Sequence, residues 1–521
     1  MVSTVSSRPQ KGDVEGGRLV RALAGLERVG NLLPHPFWLF LGLGGVILVL
    51  SAVLGRAGVS AVSPADGEAV EVVNLLTRDG LHQIITEAVP NFTGFPPLGL
   101  IIIVMLGVAI AEYSGLITAA IRAVVSVVSA RWLTFALALC GVTGSVASDA
   151  IYVVLIPLGA AAFKAVGRSP VLGAIVAFTS ASAGYNASLF ITGTDAILAG
   201  LSTSAAQLID EGYVVSPVAN YFFSMASAIF LAVVVTLVTE LLLVKITRGM
   251  VEEHNEGDDP TASNSLSEFA LDDAEKRGLR WAALSAAAFF AIFLAALLVP
   301  GSIFRGDEGV LDSPLLTDVV VPIAILFALA GVIYGIITKS ITSLSDIPNM
   351  MGKGLVSLAP VLVLFFAAAQ FVAYFRWSNI GPIIAISGSD ILQRLELPTL
   401  VLFAGLVILV AALNFFITSG SAQYALMAPV IVPMFMLLGV APEVTQMLFR
   451  MGDSPTNVIS PMSPYFALAL GYIQQYHKKA GIGTLLSLTL PVSVAMLVGW
   501  FAFFTLWYGI GLPLGPAVPI R

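Results

Sequence analysis

Arg450 and Asp453 stand three residues apart in a stretch whose flanks are almost wholly Val, Leu, Ala, Ile and Phe. Residues spaced i, i+3 share one face of a helix. Such a pair can do two kinds of chemistry: the guanidinium can grip a carboxylate substrate, and the carboxylate can ligate a cation, sodium or a proton. The alternative is a structural ion pair that neutralises itself. Charge inside an apolar segment is expensive, so function is the default reading. The residues that follow, Ser454-Pro455-Thr456-Asn457, favour it. A proline opens the helical hydrogen-bond ladder and frees carbonyl oxygens, which are hard ligands suited to sodium. Asn457 adds a neutral oxygen, so Asp453 and Asn457 are the expected ligands of a coupling cation.

The pair belongs to a polar island, Asn414 to Tyr465, that has an echo in the first half of the chain. Ser421 lies twelve residues before Pro433, and Ser145 lies twelve before Pro157. Gly439 is followed by Pro442, and Gly167 by Pro170. Each second proline opens an apolar run that ends in a polar break: Asp453 to Asn457 in one half, Gly184-Tyr185-Asn186 in the other. Paired, interrupted hydrophobic segments mark the binding site of a transporter. Asn186, Thr192, Thr194 and Asp195 are therefore the counterparts of the Asp453 region, with Asn186 a further candidate cation ligand. For Asp195 an interfacial position is the competing expectation.

Ser419, Gly420, Ser421, Gln423 and Tyr424 mark one broken tip, and Ser145, Ser148 and Asp149 the other. Helix N-termini at such tips can hold carboxylates through free backbone N–H groups. Alternatively the tips pack with their polar groups satisfied internally. Tyr424 is read either as a stacking surface for an aromatic substrate or as a packing residue.

These residues must be held in a bilayer. The 521-residue chain is 57% hydrophobic and 11% charged, with a mean hydropathy of +0.94. Soluble domains carry roughly 25% charged residues. A spanning helix needs about 20 apolar residues. On that rule nine spans are expected, at 34–55, 96–121, 170–201, 219–244, 281–299, 318–338, 354–375, 442–472 and 484–511. Two stretches, 132–163 and 399–438, are broken at Gly141 to Asp149 and at Thr418 to Gln423. The arms of the first are about 11 to 14 residues, or roughly 17–21 Å, against a core of about 30 Å. Both are read as re-entrant hairpins.

Lys and Arg collect in the N-terminal tail, at Arg122 and Arg131, at Lys164 and Arg168, in 245–280, at Lys339 and Lys353, and at Lys478-Lys479. The alternate loops are acidic or poor in Lys. The positive-inside rule then places the N-terminus in the cytoplasm and the C-terminus outside. The expected fold is an all-α polytopic membrane protein, with nine transmembrane helices and two hairpins in an inverted-repeat arrangement like that of ion transporters. Residues 1–31 form a cytoplasmic tail and 32–245 the first repeat. Residues 246–280 form a polar cytoplasmic linker, 281–299 a connecting helix and 318–516 the second repeat. Trp281, Trp500 and Trp507 are expected at the membrane interface.

Other classes find no support. There is no phosphate-binding Gly-rich loop ending in Lys-Ser or Lys-Thr, no H-E-x-x-H and no G-x-S-x-G. The histidines have no metal spacing, and the single Cys140 excludes an internal disulfide. No basic nucleic-acid patch and no acid, base and nucleophile trio is visible, so neither an enzyme nor an organic cofactor is expected.

Several blocks resemble the aminobenzoyl-glutamate transporter (AbgT) family. They are Asn31-Leu32-Leu33-Pro34-His35-Pro36, Asn91-Phe92-Thr93-Gly94-Phe95, Phe371 to Phe375 with Trp377-Ser378-Asn379-Ile380-Gly381, Ser421-Ala422-Gln423, Ala441-Pro442-Glu443-Val444 and Arg450-Met451-Gly452-Asp453-Ser454. The likeness runs from about Asn31 to about Pro516. It implies a bacterial inner-membrane transporter, commonly a homodimer, that moves p-aminobenzoyl-glutamate with a coupling cation. It also implies a link to sulfonamide antimetabolite export. The family's site positions fall on Asp195, Ser421, Pro442, Arg450, Asp453 and Pro461. Tyr424 departs from a frequent Trp, and Asp149 stands where members carry Glu.

The expected function is secondary active transport of p-aminobenzoyl-glutamate or a related folate-pathway aromatic carboxylate, driven by sodium or protons. A channel for small anions is the rival reading.

Overall fold

The structure is a computed structural model that describes residues 35–62, 67, 69–147, 150–247, 270–305, 313–460, 463–516 and 518. Ser148, Asp149, Pro461, the tail 1–31 and most of the expected linker lie outside the described residues.

The first half begins with α1 (Pro36–Arg56) and a two-stranded antiparallel hairpin, β1 (Ser60–Val62) with β2 (Ala69–Glu71). It continues through α2 (Arg78–Thr86), α3 (Ala88–Thr93), α4 (Pro96–Tyr113), α5 (Leu116–Val127), α6 (Leu133–Thr143), α7 (Ala150–Ala165), α8 (Pro170–Ala183), α9 (Gly193–Ala206) and α10 (Tyr221–Thr247). Next come α11 (Asp273–Leu298) and the short α12 (Pro314–Thr317). The second half runs through α13 (Val320–Thr338), α14 (Asp346–Trp377), α15 (Ile380–Arg394), α16 (Thr399–Asn414), α17 (Gly420–Met436), α18 (Pro442–Thr456), α19 (Pro464–Tyr476) and α20 (Ile482–Ile510).

Among the described residues seven helices are long and apolar enough to cross a membrane: α1, α4, α10, α11, α13, α14 and α20. The expected spans at 170–201 and 442–472 are not continuous helices. Each is a pair, α8 with α9 and α18 with α19, separated by irregular chain. The turns that lead into α8 and α18 are alike. Gly167 and Gly439 take φ of 73° and 78°, a left-handed conformation that only glycine adopts without strain. Pro170 and Pro442 then open the helices at the position where a missing N–H is harmless.

Further expectations need correction. The span at 96–121 breaks at Gly115, whose φ is 90°, and α5 begins as a separate helix. The region after 375 carries α15, which was not expected because its polar residues dilute the apolar run. The connecting helix begins at Asp273, not 281, because Asp272 and Glu275 form a reciprocal capping box. The loop at 56–95 also has structure, namely the β-hairpin, α2 and α3.

The centre of the molecule is α8 and α18. All 14 residues of α8 and all 15 of α18 are buried. α18 packs against α9, α16, α17 and α20, and α8 against α6, α7 and α19. Small residues let the backbones approach, as is usual between membrane helices. A Cβ on Gly173 of α8 would lie 2.2 Å from Gly159 O of α7. Trp500, expected at the interface, is instead fully buried in α20 and donates its indole N–H to Ser227 Oγ of α10 at 2.8 Å. Trp281 is exposed on α11.

Candidate functional site

Three interruptions meet beside α18: the segment between α8 and α9, the segment between α16 and α17, and the end of α18 itself. The first is closed by Thr192, which caps α9. Asp195 answers it, accepting from Thr192 N at 2.7 Å and Thr192 Oγ1 at 2.8 Å through Oδ2. That leaves Asp195 Oδ1 facing across to α18, where it accepts from Arg450 Nη1 at 2.6 Å. Arg450 is 2% exposed and Asp195 8%. Asp195 is thus buried among the helices. The guanidinium also reaches Asn186 O at 3.4 Å, while its Nε has no partner among the described residues.

Asp453 lies one turn further along the same helix. Its Oδ2 accepts from Asn186 Nδ2 at 2.7 Å, and the neighbouring Ser454 Oγ accepts from Asn186 N at 3.0 Å. One asparagine in the first break therefore reads both residues of α18 and touches Arg450. Asp453 is 1% exposed, and its Oδ1 is unpaired among the described residues. The N-terminus of α17 abuts it, since a Cβ on Gly420 would lie 3.0 Å from Asp453 Oδ2. The partial positive charge of a helix N-terminus favours a carboxylate there.

Asn414, the last residue of α16, stands within hydrogen-bonding reach of the broken end of α18 at three acceptors. Its Nδ2 lies 2.8 Å from Asp453 O, 2.8 Å from Thr456 Oγ1 and 2.9 Å from Asn457 Oδ1. Ser493 Oγ of α20 donates to Pro455 O at 2.6 Å. In the sequence Asn414 marked only the start of the polar island, and its three acceptors emerge only in the fold.

The fate of the other expected residues varies. Asn457 is half-buried beside Asn414. Ser419 caps α17, and Ser421 is half-buried with its Oγ 3.4 Å from Ser419 Oγ. Pro442 is the buried first residue of α18. Gln423 is buried and donates to Val410 O at 2.9 Å, with its Oε1 unpaired among the described residues. Tyr424 is fully buried, shares a 2.7 Å hydrogen bond with Ser202 Oγ and packs on Phe449 with ring centroids 4.5 Å apart. That geometry is of the packing kind. Ser145 is buried, and its hydroxyl has no hydrogen-bond partner among the described residues, Arg450 and Asp453 included.

At the N-terminal end of α18, Tyr213 Oη donates to Glu443 Oε2 at 3.0 Å. Burial, and then the Glu443 carboxylate, hold the Tyr213 hydroxyl above the usual phenol range, so it stays a donor. The charge balance at the centre is two carboxylates, Asp195 and Asp453, against one guanidinium. No group of three or more His, Cys, Asp or Glu side chains suited to a metal ion occurs among the described residues.

The chain is similar to known proteins. The family model described as "AbgT putative transporter family" matches residues 21–521. The p-aminobenzoyl-glutamate transport protein of Escherichia coli (strain K12) is 36% identical over 519 residues, covering 99% of each chain. The solved structure of the Alcanivorax borkumensis YdaH transporter superposes with a TM-score of 0.86 at 38% identity, over 93% of this chain and 100% of that one. The structure of Neisseria gonorrhoeae MtrF, described with a class of antimetabolite efflux pumps, gives 0.90 at 41% identity, over 95% and 100%.

Proposed function

The chain belongs to the AbgT transporter family, and from that premise we propose that it is a secondary active transporter of p-aminobenzoyl-glutamate or a related aromatic carboxylate. The observation that carries the reading is the buried Asp195–Arg450–Asn186–Asp453 cluster, built where broken helices meet. In a bilayer, irregular backbone and buried charge belong where a binding site is.

The cluster supplies a mechanism. Arg450 is held by Asp195 when no substrate is present, and a substrate carboxylate exchanges with Asp195 for the guanidinium. Asp453 is the excess negative charge. A sodium ion or proton on Asp453 removes it, so the substrate's carboxylates enter a site with one negative charge fewer, and cation and substrate favour each other's binding. Asn457 and Asn186 add neutral oxygens to the cation's shell, and the α17 N-terminus with Ser419, Gly420 and Ser421 receives a second substrate carboxylate.

The order of elements supports an inverted repeat. From α1 to α10 and from α13 to α20 the chain follows one plan, apart from the insertion of β1, β2, α2 and α3: two long helices, a shorter helix (α5, α15), a pair of short apolar helices, a broken pair and a final long helix. The short pairs, α6 with α7 and α16 with α17, are the re-entrant hairpins of this reading. α8 with α9 and α18 with α19 are two of its nine spans. α11 then inverts the second copy. The protein is assigned to the bacterial inner membrane as a homodimer, N-terminus inside and C-terminus outside. The antimetabolite efflux attributed to the MtrF class makes sulfonamide export a second substrate test.

Counterflow tests the reading. Proteoliposomes preloaded with unlabelled p-aminobenzoyl-glutamate should take up the labelled compound transiently and with saturation. Flux that rises linearly with concentration and shows no exchange would indicate a channel.

A further inference from the structure

Four polar pairs cross between the two halves of the chain along one face of α18. Glu443 accepts from Tyr213 at 3.0 Å, Gln446 accepts from Asn220 Nδ2, Arg450 donates to Asp195 at 2.6 Å, and Asp453 accepts from Asn186 at 2.7 Å. Spacings of three, four and three residues keep all four on one side of the helix. The first pair lines a cavity of about 440 Å³ together with Asp210, Ser216 and Pro516. The last two form the central site. The pair Asn220–Gln446 lies between them and has no role in the mechanism above.

This pair is chemically incomplete. Each side chain is a primary amide with an acceptor oxygen and a two-hydrogen donor. Asn220 is 3% exposed and Gln446 1%. Beyond their mutual bond, Asn220 Oδ1 and Gln446 Nε2 find no partner among the described residues. Turning both amides over would still leave one acceptor and one donor unmet. Asn220 is also the N-cap of α10, where asparagine ordinarily spends its oxygen on a first-turn amide, and it makes no such bond. Buried polar groups are nearly always paired, so a matched acceptor and donor left open side by side point to a ligand.

We propose that Asn220 and Gln446 form a second recognition point, between the cavity and Arg450, that takes the secondary amide of the substrate. The proposal rests on the transport reading above. Four helical residues place Gln446 about 6 Å from Arg450 along the axis. An aroyl-glutamate carries its amide a few bonds from a carboxylate, so the carboxylate meets Arg450 while the amide N–H meets Asn220 and the amide carbonyl meets Gln446.

The test compares p-aminobenzoyl-glutamate with the ester made from p-aminobenzoate and 2-hydroxyglutarate. The ester keeps the ring and both carboxylates but lacks the amide N–H. In counterflow by the wild-type protein the ester should show a KM about tenfold higher, as an unmet buried acceptor requires. In the double variant Asn220→Leu/Gln446→Met, which keeps size and removes both amides, the gap should shrink to within about twofold. Equal KM values in the wild type would overturn the proposal without any variant. So would a double variant that weakens both compounds equally and keeps the gap. Absence of wild-type flux with either compound would overturn the transport reading and this proposal with it.

Discussion

Arg450 carries the only buried side chain of positive charge described in the central cluster, and Asp195 is what holds it. Removing one partner of a buried pair strands the other, at a cost of about 3–5 kcal/mol. Arg450→Ala should therefore lower the thermal unfolding temperature in detergent and abolish flux. The double variant Arg450→Met/Asp195→Asn should recover most of the stability, because no charge is stranded beyond the one that Asp453 already carries, yet remain inactive. Recovery of flux in the double variant would show that the guanidinium is dispensable. The sequence displayed half of this site. Arg450 and Asp453 stood out as charges in an apolar run, and Asn186 and Asp195 were found by the echo between the halves. What it could not display was the pairing, since Arg450 is bonded to a residue 255 positions away and not to its neighbour on the helix. Asn414, Asn220 and Gln446 were illegible for a related reason. A lone amide in an apolar stretch reveals its role only when its partners are known.

At the level of elements, the site depends on close crossings between short helices. Gly452 of α18 is pressed against α16, where a Cβ would lie 2.6 Å from Val407 O and 2.6 Å from Val410 Cβ. Gly452→Ala should destabilise the protein by about 1–3 kcal/mol through overpacking, read as a lower midpoint of thermal unfolding. Gly405→Ala, on α16 with open space where the methyl would go, should leave the midpoint unchanged. Equal effects would mean that the crossing is not tight. Hydropathy made the long helices legible because length and apolarity suffice to define them. It failed at Gly115, where a single positive φ splits one apolar run into α4 and α5. It also failed at Trp500, because a tryptophan's partner, here Ser227, decides between belt and core.

For the whole molecule, the proposed arrangement puts Lys478 and Asp210 on opposite sides of the membrane. In a Cys140→Ala background, Lys478→Cys should react with an impermeant maleimide only in inside-out vesicles, and Asp210→Cys only in intact cells with a permeabilised outer membrane. Labelling of both from one side would contradict the inverted repeat. The central claim is that a buried site with one excess negative charge couples a cation to an aromatic carboxylate. The most direct test is accumulation of labelled p-aminobenzoyl-glutamate by purified protein in liposomes, with sodium and proton gradients imposed separately, for the wild type and Asp453→Asn. Accumulation should be driven by one of the two gradients and be lost in Asp453→Asn, where the extra charge is already gone. Accumulation in Asp453→Asn that still follows the same gradient would contradict it.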